Sequence, residues 1–200
     1  MIVKVCGITN AEDAAAAIAG GATAIGFNFY RPSPRYIAPE WAAQIVTPPG
    51  VRRVGVFVNE SRAVVEHIVM LASLDVAQLH GDEAISEYPA GTVVWKAARV
   101  SAGFDFAAYR NVRAEALLLD GPAGELYGGV GKAFDWYMAA SAPCRIIVAG
   151  GLDASNVAAA VALAHPWGVD ACSRIESTPG KKDHKKMNEF LQAAREALHL

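Results

Sequence analysis

Long apolar runs are missing from this 200-residue sequence: none reaches the about 18 residues that a membrane-crossing helix requires. Its first residues show no basic stretch leading into an apolar segment, so the expectation is a cytoplasmic protein without a secretory leader. An excess of one charge is missing too. With 18 Lys and Arg against 20 Asp and Glu, a formal net charge of −2 offers no basic surface to nucleic acid or an anionic membrane. Cysteine is scarce and odd in number. Cys6, Cys144 and Cys172 stand far apart, which argues against a disulfide framework and against the short ligand spacings of a zinc site. Reduced thiols in a reducing compartment are expected. No linker or low-complexity segment divides the chain, and 53% hydrophobic residues supply one large core, so residues 1–200 read as a single domain.

What is present is a steady rhythm of short β-rich runs and longer Ala-rich stretches. The β-like runs are Ile2–Cys6, Ala24–Phe29, Arg53–Val58, Val76–Leu79, Val93–Ala97, Ala116–Asp120, Arg145–Ala149 and Gly168–Ala171. Helix-compatible segments lie between them at Ala11–Ala19, Pro39–Val46, Ser61–Leu71, Glu83–Tyr88, Phe104–Tyr109, Asp135–Ala140 and Ala154–Ala164, and Lys182–Leu198 closes the chain. Eight such units predict an α/β fold with a parallel sheet closed into a (β/α)8 barrel. The alternative, an open doubly wound sheet, normally carries a glycine fingerprint after its first strand, and "CGITNAED" supplies one glycine.

In such a barrel the site lies where the strands end. Those ends collect polar residues: Cys6-Gly7, Asn28, Asn59, Gln78 with His80, Lys96, Asp120, Gly150-Gly151, and Asp170 through Ser173. Period-two alternation places Lys4 with Cys6, Gln78 with His80, and Leu118 with Asp120, each pair on one face of its strand, so Cys6 and Asp120 are candidates to face each other across the mouth. Each has a plainer reading. A strand-end cysteine also serves as a small buried hydrophobe, Asp120 as a turn aspartate in "LLLDGPAG", and His80 as a loop histidine. "VAGGLDASNV" and "GVDACSRIESTPGKKD" follow the seventh and eighth runs, where free N–H groups at Gly150, Gly151, Ser173 and Arg174 suit a phosphate. "YGGVGK" at residues 127–132 is not a P-loop, because Leu126 stands at its first glycine position and Ala133 replaces the Ser or Thr after the lysine. It reads as a glycine-rich lid.

Taken in order and spacing, "KVCGIT", "SPRYI", "VGVFVN", "QLHGDE", "LLLD" followed by "YGGVGKAFDW", "AGGLDASNV" and "GVDACSRIESTPGKKD" resemble the phosphoribosylanthranilate isomerases of tryptophan biosynthesis over nearly the whole chain. That resemblance implies a (β/α)8 barrel that carries out an Amadori rearrangement of N-(5′-phosphoribosyl)anthranilate to 1-(o-carboxyphenylamino)-1-deoxyribulose 5-phosphate without metal or cofactor. It also implies Cys6 as general base, Asp120 as general acid, and Arg35 at the anthranilate end. Gln78, His80, Gly150, Gly151, Asp170, Ser173 and Arg174 complete the candidate substrate contacts. Two stretches depart from the family pattern. Gly129-Val130-Gly131 stands where Gly-Thr-Gly is common, and Cys172-Ser173-Arg174 where Ser-Ser-Gly is common.

These residue types suit the implied reaction. Opening the furanose ring needs a proton on its oxygen, and loss of the proton at C2′ needs a base. A carboxyl with an ordinary pKa is ionised at neutral pH, so the acid role requires Asp120 to be shifted upward; the thiol must be shifted down, and Lys4 on the same face either assists or is an interior lysine satisfied elsewhere. Neighbouring readings are a barrel isomerase of histidine biosynthesis, which would want two aspartates, a metal-dependent sugar-phosphate epimerase, and a non-catalytic sugar-phosphate sensor. The expected partner is a small phosphorylated molecule, with no nucleic acid and no membrane. Oligomeric state stays open, a monomer being slightly preferred.

Overall fold

The structure, a computed structural model, describes residues 1–101, 103–121, 136–142 and 144–200. Eight strands follow one another around a closed barrel: β1 (Ile2–Cys6), β2 (Ala24–Asn28), β3 (Arg52–Phe57), β4 (Val76–Leu79), β5 (Val93–Arg99), β6 (Ala116–Asp120), β7 (Ile146–Val148) and β8 (Gly168–Ala171). Every neighbouring pair is parallel, and β8 closes on β1 with Lys4 opposite Asp170 and Val5 opposite Ala171. The barrel expectation holds, with strand ends displaced by one or two residues.

The outer layer is thinner than the sequence rhythm implies. Helices α1 (Ala11–Ala19), α2 (Pro39–Gln44), α3 (Arg62–Leu71), α4 (Val157–Ala164) and α5 (His184–Ala197) form, and Asn10, Ser61 and Asp183 cap α1, α3 and α5 by accepting first-turn N–H groups. The expected helices at Glu83–Tyr88 and Phe104–Tyr109 are single 3-10 turns, Ile85–Glu87 and Phe106–Tyr109. Segments this short do not repay helix nucleation, and the Glu83 carboxylate is committed to the N–H groups of Asn59 and Gly81. The third short segment is likewise a 3-10 turn, Trp136–Ser141, and Asp135, its expected start, lies outside the described residues, as does the expected lid at 127–132.

Two further boundaries shift for local reasons. α4 begins at Val157 rather than Ala154, because Asp153 and Asn156 side chains accept N–H groups from Ser155 and Asp153 and hold residues 153–156 in a turn. Lys182 belongs to no helix: β9 (Glu176–Thr178) and β10 (Lys181–Lys182) form a two-stranded hairpin that turns at Gly180, φ +85°, before α5 starts at His184.

Alternation along each strand separates two apolar layers. Val3, Val5, Leu117, Leu119 and Val169 pack outward against the helices, while Ile2, Val54, Val76, Trp95, Leu118 and Ile147 fill the barrel. The N-terminal end is filled by Trp95 and Trp167, edge to face at 6.0 Å, with Arg52 over both rings and paired to Glu115 at 2.6 Å. With that end filled by side chains, the polar residues of the interior face collect at the opposite end.

Candidate active site

The C-terminal mouth holds a cavity of about 220 Å³. All ten candidate residues line it: Cys6, Arg35, Gln78, His80, Asp120, Gly150, Gly151, Asp170, Ser173 and Arg174. Strand register explains the convergence, since Cys6, Gln78, Asp120 and Asp170 occupy interior-facing positions at the upper ends of β1, β4, β6 and β8.

Cys6 sits on a packed charge cluster. Lys4, fully buried one interior position below it, donates to Asp170 Oδ1 at 3.0 Å. Gly26 on β2 makes room for both, since a Cβ there would lie 2.8 Å from Cys6 Sγ and 3.1 Å from Lys4 Nζ. A hydrogen bond from Cys172 holds the Cys6 thiol well below the ordinary thiol range; Lys4 adds to this, and burial opposes it. Cys172, as the donor, is pushed up. Burial raises the Asp170 carboxyl to about 7, against the pull of Lys4 and with the help of negative charge on Cys6 and Asp120. Burial pulls Lys4 down, but Asp170 and Cys6 outweigh it and leave the ammonium above its usual range. Of the two readings open to Lys4, both are met by one geometry: it is satisfied by Asp170 and it also favours the thiolate.

Asp120 ends β6 as a buried side chain facing the cavity, so the plain turn reading does not describe it. His80 approaches it, Nε2 to Oδ2 3.3 Å, without the alignment of a hydrogen bond. Behind, Gln78 Nε2 meets His80 Nδ1 at 3.2 Å. Gln78 Oε1 and His80 Nε2 are both buried and lack an aligned hydrogen-bond partner among the described residues.

Arg35 lines the opposite wall and is clamped by Glu176, with Nε to Oε1 at 3.0 Å and Nη2 to Oε2 at 2.8 Å. Glu176 also takes Lys182 Nζ at 2.9 Å, and these two cations hold its carboxyl below the usual range despite burial. Sequence reasoning missed Glu176 and Lys182 as site supports. The available signal was the Pro179-Gly180 pair, a turn that folds the two back toward each other. Gly7 is explained by this wall: its φ is +74°, and a Cβ would meet Arg35 Cδ at 2.9 Å and Cys172 Sγ at 3.0 Å.

The third wall consists of two loops. After β7, Gly150 and Gly151 take φ of +81° and +69°, and Asn156 Nδ2 fixes the turn by donating to Gly151 O at 2.8 Å. After β8 the chain turns through Cys172, Ser173 and Arg174. Arg174 pairs with Asp153 on the first loop, Nε to Oδ2 2.6 Å, so its acid partner is Asp153 and not the nearby Glu176, which is taken by Arg35 and Lys182. Lys96 and Asn59 leave the strand-end set. Lys96 points outward to Glu83 at 2.8 Å, and Asn59 Oδ1 accepts from Asp82 N. Among the described residues, no group of three or more His, Cys, Asp and Glu side chains is placed to hold a metal ion.

A parallel eight-stranded barrel with a thiol, carboxylates, imidazole and guanidinium around a cavity at its C-terminal mouth defines a TIM-barrel enzyme. Comparison with known proteins narrows the class. Residues 3–193 match the family model described as N-(5′-phosphoribosyl)anthranilate (PRA) isomerase. An N-(5′-phosphoribosyl)anthranilate isomerase of Solibacter usitatus is 69% identical over 198 residues, covering 99% of each chain. The crystal structure of phosphoribosyl anthranilate isomerase from Thermotoga maritima superposes with a TM-score of 0.90 at 40% identity, covering 98% of this chain and 100% of that one. Another crystal structure, of the enzyme in complex with reduced 1-(o-carboxyphenylamino)-1-deoxyribulose 5-phosphate, gives 0.87 at 38% identity with the same coverage. This chain belongs to the phosphoribosylanthranilate isomerase family.

Proposed function

We propose that this protein isomerises N-(5′-phosphoribosyl)anthranilate to 1-(o-carboxyphenylamino)-1-deoxyribulose 5-phosphate, with Cys6 as general base and Asp120 as general acid. The observation that carries the reading is the sharing of one cavity by Cys6, Asp120 and the two loops at Gly150-Gly151 and Cys172–Arg174. The substrate phosphate sits on the loop N–H groups, which accept an anion without needing a cationic side chain. Arg35, held flat by Glu176, faces the anthranilate carboxylate at the other end.

Between these anchors Asp120 gives its proton to the furanose oxygen as the C1′–O bond breaks, leaving an open iminium. The Cys6 thiolate then takes the C2′ proton, and the enolamine formed becomes the ketone by proton shift from C2′-OH to C1′. The shared hydrogen bond with Cys172 and the Lys4 charge both favour the thiolate form of Cys6. His80 Nε2 and Gln78 Oε1, without aligned partners among the described residues, are the groups that meet the sugar hydroxyls.

The test is turnover of N-(5′-phosphoribosyl)anthranilate by purified protein, followed by anthranilate-type fluorescence with and without EDTA. Chelator-insensitive turnover is the expected result. Saturable binding without turnover makes the protein a sensor, and activity restored by a divalent metal makes it another enzyme.

A further inference from the structure

We infer that Cys6 and Cys172 form a dithiol that closes to a disulfide under peroxide and reopens with thiol reductant, a modification site built into the mouth of the barrel. Register brings the two thiols together. β1 and β8 are adjacent parallel strands with Lys4 opposite Asp170 and Val5 opposite Ala171, so Cys6 and Cys172 are the next residues across the same seam. The Lys4–Asp170 ion pair at 3.0 Å shows that this set of side chains points to one side, into the barrel. Neighbouring strands run about 4.8 Å apart, inside the about 4.4–6.8 Å Cα separation a disulfide spans. Cys172 Sγ also lies 3.0 Å from the Cβ position of Gly7, the residue beside Cys6. Both cysteines line the cavity, so a small oxidant has a path to them.

Three cations surround the pair: Lys4 below Cys6, Lys182 with Nζ 4.0 Å from Cys172 Sγ, and Arg35 against Gly7. Asp170 and Glu176 balance two of those charges, and a single thiolate balances the third. The Cys6 thiolate attacks the O–O bond of hydrogen peroxide, forming a sulfenic acid and releasing hydroxide. Cys172, as thiolate, then attacks that sulfur and expels a second hydroxide, so two thiols and one peroxide become one disulfide and two waters. Cys144 is exposed, away from this cavity, and takes no part.

Loss of activity on closure rests on Cys6 being the general base; the bond itself does not. The intact protein is treated with hydrogen peroxide, alkylated under denaturing conditions and mapped by peptide mass. The expected result is the Cys6 and Cys172 peptides joined, two hydrogens lighter than their sum, with Cys144 free. Turnover should fall in proportion to the joined fraction and return in full with dithiothreitol. A folded Cys172→Ser variant should give no joined peptide, and Cys144→Ser should still join. Cys6 driven to sulfinic acid in the unsubstituted protein while Cys172 stays a free thiol would overturn the inference, as would joining of Cys6 to Cys144. A joined Cys6–Cys172 peptide with undiminished turnover would sustain the disulfide and remove the base assignment.

Discussion

Lys4 and Asp170 form an ion pair inside the barrel, Nζ to Oδ1 3.0 Å, across the seam where the last strand closes on the first and directly beneath the Cys6 thiol. The pair links barrel closure to the chemistry of the mouth, because the cation that satisfies Asp170 also faces Cys6.

Replacing that cation should therefore weaken the thiolate. In Lys4→Met the Cys6 thiol pKa should rise by about 1–3 units, the range expected when an opposite charge within a few ångströms is removed. The pH dependence of iodoacetamide alkylation at Cys6, in a Cys144→Ser background, measures it. The double variant Lys4→Met/Asp170→Asn keeps the buried charge neutral and should show the same direction of shift, whereas an unchanged profile would remove Lys4 from the account.

Asp170 itself imposes a pH signature on stability. Its folded pKa of about 7 lies above the about 3.9 of an unfolded aspartate, so the folded state binds the proton more tightly. The stabilisation from this group is complete below about pH 4 and is lost as pH rises through about 7. The Tm of the unsubstituted protein minus that of Asp170→Asn should thus decline between those values and level off above them. A difference that climbs over the same interval contradicts the assignment.

Glu176, itself buried, holds two cations, the buried Lys182 and the partly buried Arg35. In Glu176→Gln both lose their counter-charge, which for a broken buried pair costs about 3–5 kcal/mol. For a chain of this length that corresponds to a Tm lower by about 6–20 °C. If Arg35 orients the aromatic end of the substrate, KM rises as well, while a variant with unaltered Tm and KM would make the clamp dispensable.

Arg174 is half-exposed and, through Asp153, bridges the two loops that follow β7 and β8. A pair of this kind is worth about 0.2–1 kcal/mol, so Arg174→Gly and Asp153→Asn should each raise KM by no more than about fivefold and leave kcat unchanged. A rise of about tenfold or more in Arg174→Gly, absent from Asp153→Asn, would show that the side chain reaches the phosphate directly.

The sequence carried the barrel because a short, mostly apolar, β-favouring run is a local property. Ile2–Cys6, Val76–Leu79, Ala116–Asp120 and Gly168–Ala171, each buried along its whole length, keep the expected bounds. Nine of the ten candidate residues that line the cavity were legible because they lie at or just past strand ends, and Arg35 was legible only through the family resemblance. What escaped is non-local. Nothing in residues 3–9 says that Lys4 will find Asp170, 166 positions away, and Gly26 acquires its role only when β2 lies beside Cys6. Glu176 and Lys182 become a buried pair only when the hairpin turns them inward. Helix length failed for a different reason. Between Glu83 and Tyr88 the segment closes only a single 3-10 turn, too short to repay helix nucleation.

The central claim is that one thiol and one carboxyl, on β1 and β6, move the protons. Its most direct test is the kcat of Cys6→Ala and of Asp120→Asn, each verified as folded by circular dichroism, for N-(5′-phosphoribosyl)anthranilate followed by fluorescence. Removal of a positioned acid or base lowers turnover by about 10²–10⁴-fold, and that loss is predicted for each variant, with Cys144→Ser unaffected. Near-normal kcat in a folded Cys6→Ala or Asp120→Asn protein would contradict the account.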